Sequence, residues 1–275
     1  MSETPPSGPA SKRPVPRVRL FLESRYRKLV RGLPQTIFYC PECRGHRRKR
    51  HACAKCEGRG KLTEDSVQEL LGRELLPAYR AREGYFHGAG REDIDVRMLG
   101  RGRPFVYELE GVKNLEVDLV EVRRRLLERH GDRIQIDPLV PVPRARIAYW
   151  KEGRFPKLYR ALIDADAAVA AERRDALVGK RFEIVQRTPK RVAHRRSDLE
   201  RRREVGVLAV GAVGERSFHL DLRCEHGTYV KEWVSGDEGR TTPALPDLLG
   251  AACRCAELDV LEILTEEVAS VRPAT

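Results

Sequence analysis

Apolar and polar residues along this chain follow two different periods, and the change comes near the middle. Over residues 18–31 (VRLFLESRYRKLVR) Leu22, Tyr26 and Val30 recur at four-residue steps with basic residues between them, which predicts a helix. A second helix is predicted over 67–80. Ser66 and Glu69 have the spacing of a capping box, and Val67, Leu70, Leu71 and Leu75 supply one apolar face. PFVYELEG then reads as a strand, and 115–130 as a third helix that ends at Gly131-Asp132. From residue 133 onward the pattern is mostly of strands: RIQI, RIAYW, KLYRALID, RFEIVQR, VGVLAV and SFHLDLRC. In SFHLDLRC, Phe218, Leu220 and Leu222 alternate with His219, Asp221 and Arg223, as in a strand with one buried face. Residues 228–234 predict a short helix, and CAELDVLEI a closing strand. The charged block at 190–204, KRVAHRRSDLERRRE, predicts an exposed arm or a loop between strands. Runs of strands with helices between them imply an α+β fold with a largely antiparallel sheet.

Composition narrows this picture. The 275 residues are enough for one large domain or two ordinary ones. Lys and Arg number 53 against 41 Asp and Glu, a net charge of +12. Base that is clustered as it is here favours a polyanionic partner, nucleic acid first, over solubility alone. No apolar run is long enough to span a bilayer. The first 17 residues, MSETPPSGPASKRPVPR, lack the apolar stretch of a secretion signal and read as a disordered, Pro-rich tail. Neither a P-loop nor a G-x-G-x-x-G is found, since Gly60-Lys61 is followed by Leu62.

Four of the seven cysteines form two knuckles, Cys40-x2-Cys43 and Cys53-x2-Cys56, nine residues apart. Two such turns can aim four thiolates at one tetrahedral zinc, a structural site with no open position for catalysis. Free thiols are the plain alternative. His46 and His51 rank below the cysteines as ligands, and Cys224, Cys253 and Cys255 read as small buried hydrophobes. The knuckle region is rich in Lys and Arg, so the metal would also stiffen a phosphate-binding surface.

The stretch HGAGREDIDVRMLGRGRP (87–104) mixes Glu92, Asp93 and Asp95 with four arginines and four glycines. Three readings are open. The acids could hold Mg2+ for phosphodiester cleavage, although adjacent arginines repel a divalent ion. They could form a surface turn with weak local ion pairs. Or one carboxylate, kept ionised by a neighbouring cation, could act as a nucleophile. Three further segments pair aromatic and basic residues or concentrate base. LRCEHGTYVKEW places Tyr229 and Lys231 at the start of a helix, KLYRALID carries Lys157 and Tyr159, and VQRTPKRVAHRR carries six basic residues counting His194. An aromatic beside a cation suits stacking on a base next to a phosphate.

Taken in order, SRYRKLVRGLPQT, the paired CxxC with its Gly-x-Gly-Lys, SVQELL, GREDIDVRMLGRGRPFVYEL, KLYRALI, QRTPKRVAHRR, CEHGTYVKEW, SGDEGRTTPALPDLL and AELDVLEI resemble the archaeal and eukaryotic pseudouridine synthases that modify the T-loop of tRNA. The similarity runs from about Ser24 to Ile263. It implies the pseudouridine synthase fold: a mixed, mainly antiparallel central sheet flanked by helices, with the zinc knuckle as an insert. The chain would divide into the tail (1–17), an N-terminal helix with the knuckle (18–62) and the catalytic domain (63–275).

The resemblance implies roles as well. Asp93 of GRED is the catalytic aspartate, with Asp95 the fallback. Tyr159 stacks on the target uracil and assists removal of its C5 proton. Lys231 pairs with the aspartate, and Tyr229 sits beside it. Arg91 holds the flipped nucleotide or its phosphate, Arg187, Lys190 and Arg191 contact the RNA, and Leu258 and Val260 pack beneath. The partner is tRNA and the target a T-loop uridine, position 54 first and 55 second. The reaction is an isomerisation that needs no organic cofactor, cosubstrate or catalytic metal. Apart from the resemblance, the CxxC pairs suit a reducing cytosol, and the expectation is a cytoplasmic protein and a monomer. Family members usually carry an N-terminal domain with a THUMP module, whereas only a short tail precedes the similarity here. The expectation is a protein without that module, whose knuckle and basic arms carry more of the RNA binding. Two rival readings are a zinc-containing RNA-binding protein without activity and a metal-dependent nuclease using Glu92, Asp93 and Asp95.

Overall fold

The first element of the computed structural model, which describes residues 18–193 and 197–265, is a strand. β1 (Arg19–Lys28) buries Leu22, Ser24, Tyr26 and Lys28 and leaves Glu23, Arg25 and Arg27 half-buried on the other face. The helix predicted over 18–31 is therefore corrected. A four-residue step stays on one face of a strand as well as of a helix. The residues that would have shown the two-residue period, Ser24 and Lys28, are polar and conceal it.

α1 (Arg47–Arg50) is a single turn within the cysteine insert. α2 (Val67–Tyr79) forms where the cap and stripe predict it: Ser66 Oγ accepts from the Glu69 amide at 3.2 Å, and Val67, Leu70, Leu71 and Leu75 are buried. β2 (Glu83–Gly88) pairs antiparallel with β3 (Arg97–Glu110), whose last nine residues are all buried, as in a central strand covered on both faces. α3 (Leu119–His130) starts at Asp118, whose carboxylate accepts from the amides of Val120 and Glu121 at 2.9 and 3.1 Å. β4 (Ile134–Ile136) and β5 (Val140–Pro141) follow.

RIAYW, predicted as a strand, lies instead in α4 (Ala145–Glu152). A five-residue run is too short for period to decide, and the strand preference of Ile, Tyr and Trp depends on context. Helical spacing here lays the Arg146 guanidinium over the rings of Tyr149 and Trp150, 4.4 and 4.9 Å from their centroids.

The remaining elements are β6 (Lys157–Ala165), α5 (Ala171–Asp175), β7 (Arg181–Arg187), α6 (Lys190–Ala193), β8 (Glu200–Ala212), β9 (Ser217–Cys224), α7 (Val230–Ser235), β10 (Thr241–Thr242), α8 (Leu245–Leu249) and β11 (Cys253–Ile263). The charged block at 190–204 is only partly the arm or loop predicted. Val192 of α6 is buried, and residues 200–204 already pair with β7 as the start of β8. His194, Arg195 and Arg196 lie outside the described residues, as does the tail 1–17.

The strands form one sheet in the order β10-β7-β8-β9-β6-β11-β3-β1-β4, with β2 also on β3 and β5 on β1. β11 joins the two sides. It runs parallel to β3, with Val260 opposite Met98, and antiparallel to β6, with Val260 opposite Tyr159. Every other strand pairing among the described residues is antiparallel, so the expected mixed, mainly antiparallel sheet with flanking helices is present. Leu22, Tyr26, Met98, Phe105, Ile163, Leu220, Trp233 and Val260 are members of one apolar core. No helix among the described residues is long and apolar enough to cross a membrane.

Candidate active site

The loop between β2 and β3 carries Arg91, Glu92, Asp93 and Asp95, and its backbone is fixed from several sides. Arg103 Nη1 donates to Ala89 O at 2.7 Å, Gln35 Nε2 to Gly90 O at 3.1 Å, and the Gly32 amide to Ile94 O at 2.9 Å. Lys28 Nζ donates to Asp93 O and Ile94 O at 3.2 and 3.3 Å, and Arg31 Nη1 to Asp95 O at 2.8 Å. Gly90 has φ +78°, a conformation that suits glycine. A Cβ at Gly88 would lie 2.8 Å from Gln35 Nε2.

Successive acids of the loop point to opposite sides. Glu92 turns inward, with no exposed side-chain surface. Its carboxylate accepts from Tyr26 Oη at 2.7 and 2.9 Å and from Arg103 Nε at 2.7 Å, with Lys28 Nζ 3.8 Å away. Burial first, then the Glu92 charge, raises the Tyr26 pKa, so this phenol remains a donor. Glu92 thus belongs to a buried structural network at the floor of the loop. Among the described residues the acids of this loop do not form a metal-binding group, and the nuclease reading loses one of its three ligands.

Asp93 and Asp95 face a cleft of about 1130 Å³ that is also lined by Arg91, Lys157, Tyr159, Arg191, Tyr229 and Lys231, with Leu258 and Val260 among its apolar residues. Lys231 Nζ donates to both oxygens of Asp95 at 2.8 and 2.7 Å and lies 3.6 Å from Asp93 Oδ2. Arg191 reaches from α6 to Asp93 Oδ2 at 3.2 Å and to Glu232 Oε1 at 2.6 Å. Burial opposes the Asp95 charge, but the hydrogen bonds and charge of Lys231 outweigh it and hold the carboxyl below its ordinary range. Gln186, almost fully buried, clamps Tyr229 in both directions: its Oε1 accepts from the Tyr229 amide at 2.9 Å and its Nε2 donates to Tyr229 O at 3.0 Å. Burial raises the pKa of Tyr159, which keeps its hydroxyl protonated.

Two of the anticipated RNA contacts lie elsewhere. Arg187 pairs with Asp198 at 2.6 Å, and Lys190 pairs with Glu238; neither lines the cleft. Sequence reasoning gave no role to Lys28, Arg31, Gln35 or Arg103, which hold the loop. Lys157, expected only as a cation beside Tyr159, is a buried cleft lysine brought down to about 8 by burial and by Arg103. One signal was available for Lys28: it continues the inward register of Leu22 and Tyr26 once that segment is read as a strand.

In the insert, the sulfurs of Cys40 and Cys53 lie 3.8 Å apart and those of Cys43 and Cys56 3.6 Å, and all four ligand atoms fall within 4.8 Å of one another. A tetrahedral ion with metal–sulfur bonds of about 2.3 Å sets its sulfurs roughly 3.8 Å apart, so the set fits a single metal ion. Gly45, at φ +72°, lies under the Tyr39 ring, and a Cβ there would stand 2.6 Å from that ring.

The fold and site together define an α+β domain with two carboxylates and several cations in one cleft and a separate four-cysteine knuckle that could hold a metal ion. The chain belongs to the family described as "Pus10, C-terminal", which matches residues 21–264. It is 40% identical over 245 residues to the tRNA pseudouridine synthase Pus10 of Methanothrix thermoacetophila, covering 89% of this chain and 53% of that protein. It is 41% identical over 247 residues to the protein of the same name from Methanocaldococcus jannaschii, covering 89% and 53%. The chain spans about half the length of these curated relatives. A chain in the crystal structure of the archaeal box H/ACA sRNP Nop10-Cbf5 complex gives a TM-score of 0.38 at 14% identity over 72% of this chain and 42% of that one, a likeness too loose to bear on the fold.

Proposed function

We propose that this cleft isomerises a T-loop uridine of tRNA to pseudouridine, at position 54 first and 55 second, with Asp93 as the nucleophile. The observation that carries the reading is the convergence of Asp93, Tyr159 and Lys231, from three distant parts of the chain, on one cleft of a domain belonging to this family. The reaction breaks the N1–C1′ bond, turns the base and joins C1′ to C5. The C5 proton leaves and N1 ends protonated, so no oxidant, ATP or cosubstrate enters the balance. Asp93 must be ionised to add to C1′ or C6; Arg191 Nη1 and Lys231 Nζ stand 3.2 and 3.6 Å from its Oδ2. Extruding the uridine costs a few kcal/mol, which stacking on Tyr159 and phosphate contacts to Arg91 offset. Tyr159 offers the base a neutral hydroxyl, since its pKa is raised. The four cysteines would hold a structural Zn2+, and their freedom from disulfides suits a reducing cytoplasm.

The test is to mix purified protein with unmodified tRNA transcript and map pseudouridine by position. Conversion at 54 or 55 is expected with the wild type and none with Asp93→Asn, which still binds tRNA. Full conversion by Asp93→Asn together with loss in Asp95→Asn would transfer the nucleophile to Asp95. Tight binding with no conversion by the wild type would leave the non-catalytic RNA-binding reading.

A further inference from the structure

The cysteine knuckle displays cations that no acid among the described residues answers. Residues 38–61 hold eight Lys and Arg against two Glu. Both acids are already paired, Glu42 with Lys55 and Glu57 with Arg59, each at 3.5 Å, and Lys61 is paired with Glu69. Arg44, Arg47, Arg48 and Lys49 stand exposed and have no acidic partner among the described residues. Four thiolates around one divalent ion take only two charges from the surplus. α1, which carries three of these cations, buries no residue and has no side-chain cap. A lone turn is intrinsically unstable, and neighbouring like charges oppose it further. It is held by the knuckle: the His46 amide donates to Cys43 O, and the Lys49 and Arg50 amides to His46 O, all at 2.9 Å.

The ridge also stands in a telling place. The chain enters and leaves the knuckle at the rim of the cleft. Phe38 lines the cleft and accepts from the Leu62 amide at 2.8 Å, while the Cys40 amide donates to Gly60 O at 3.0 Å. Phe38 and Tyr39 are 40% and 55% exposed. Tyr39 sets Cδ1 and Cε1 of its ring against Gly45 and leaves much of the rest open. Solubility explains cations but not two exposed aromatics between them and the cleft. Aromatic faces followed by unpaired cations are the means by which single strands are bound, bases stacking and phosphates neutralised.

Building on the function proposed above, we propose that Phe38, Tyr39 and the α1 ridge bind the single-stranded RNA that continues from the nucleotide held in the cleft. The metal knuckle is then a substrate-gripping device, whose ion holds the ridge in shape.

The experiment titrates unmodified tRNA by fluorescence anisotropy over a range of salt. It compares the wild type with a knuckle variant (Arg47→Gln, Arg48→Gln, Lys49→Gln) and a charge-matched variant far from the cleft (Arg124→Gln, Arg181→Gln, Arg254→Gln). For the knuckle variant, affinity is expected to fall at least about tenfold, and the slope of log K against log salt to shrink by about 2–3, from roughly 0.7–0.9 per phosphate contact. Zinc content should stay at the wild-type level, showing an intact knuckle, and the distant variant should change little. Wild-type affinity and slope in the knuckle variant, or an equal loss in both variants, overturns the inference. A wild type that binds no tRNA overturns the function proposed above along with it.

Discussion

Lys28 has no exposed side-chain surface, and its Nζ donates to Leu33 O at 2.8 Å and to the carbonyls of Asp93 and Ile94 at 3.2 and 3.3 Å. Burial brings its pKa down to about 8 in spite of the Glu92 charge nearby. Two of these bonds fix the backbone that carries Asp93, so Lys28 positions that carboxylate without lining the cleft. Lys28→Met keeps the stem but orphans the carbonyls and removes one partner of Glu92. Losing one member of a buried ionic network costs about 3–5 kcal/mol, to be read by urea unfolding. In the folded fraction kcat should fall at least tenfold, with the tRNA Kd within about twofold; an equal change in both would mean that the loop is not what Lys28 holds. Lys157 makes a pH-dependent case. Burial, then Arg103, lowers it from 10.5 to about 8, so the unfolded chain holds more protons between those values and this residue makes stability rise with pH across that window. A phosphate in the cleft restores the charge. Binding of tRNA at about pH 8 should therefore take up a proton, measured by calorimetry in two buffers of different ionisation heat, and Lys157→Met should abolish the uptake.

Elements whose ends and period agree could be read from the sequence alone. α2 has its Ser66 cap and apolar stripe, and β9 its strict alternation. β1 could not be read, because half of its inward face is polar: Lys28, which holds the loop carrying Asp93, and Ser24, whose hydroxyl donates to Asp137 O at 2.8 Å. The polar network was hidden for the same reason: an inward lysine or arginine reads as surface until its strand is recognised, as with Arg103 on β3. Asp93, Asp95 and Lys231 came instead through motif resemblance, since no local period distinguishes a cleft carboxylate from a solvated one. The four-cysteine cluster was legible from spacing alone, because two CxxC turns bring four sulfurs within reach of one ion. Its cysteines form a cluster separate from the main core. Stripping the metal with a strong chelator should thus expose amides 40–61 to hydrogen exchange while β1 and β3 stay protected. Loss of protection in β3 as well would show that the knuckle supports the sheet.

At the scale of the whole molecule the sheet has two sides joined by its last strand. β6 to β9 form one side and β1, β3 and β4 the other, with β11 between β6 and β3. Asp93 precedes β3, whereas Tyr159 lies on β6 and Lys231 follows β9, so the cleft straddles the join. Asp259 of β11 adds ionic ties, receiving Arg97 Nε at 2.9 Å and Arg31 Nη2 at 2.8 Å. The carboxylates and Lys231 therefore meet only when β11 is seated, and the two sides should unfold together. The only two tryptophans test this, because Trp150 packs with Ala89 and Val106 near β3 while Trp233 sits in α7 beside Phe182. Neither indole nitrogen has a hydrogen-bond partner among the described residues, so Trp150→Phe and Trp233→Phe each remove one reporter without breaking a hydrogen bond, and Phe keeps an aromatic face beneath Arg146. Met98 is fully buried opposite Val260, and Met98→Ala should cost about 2–5 kcal/mol. In urea, followed by the fluorescence of either remaining tryptophan, the midpoints should coincide and Met98→Ala should lower both equally. A shift seen by Trp150 alone would mean that the side carrying Lys231 folds without β3, and that the site is assembled by docking two independent bodies.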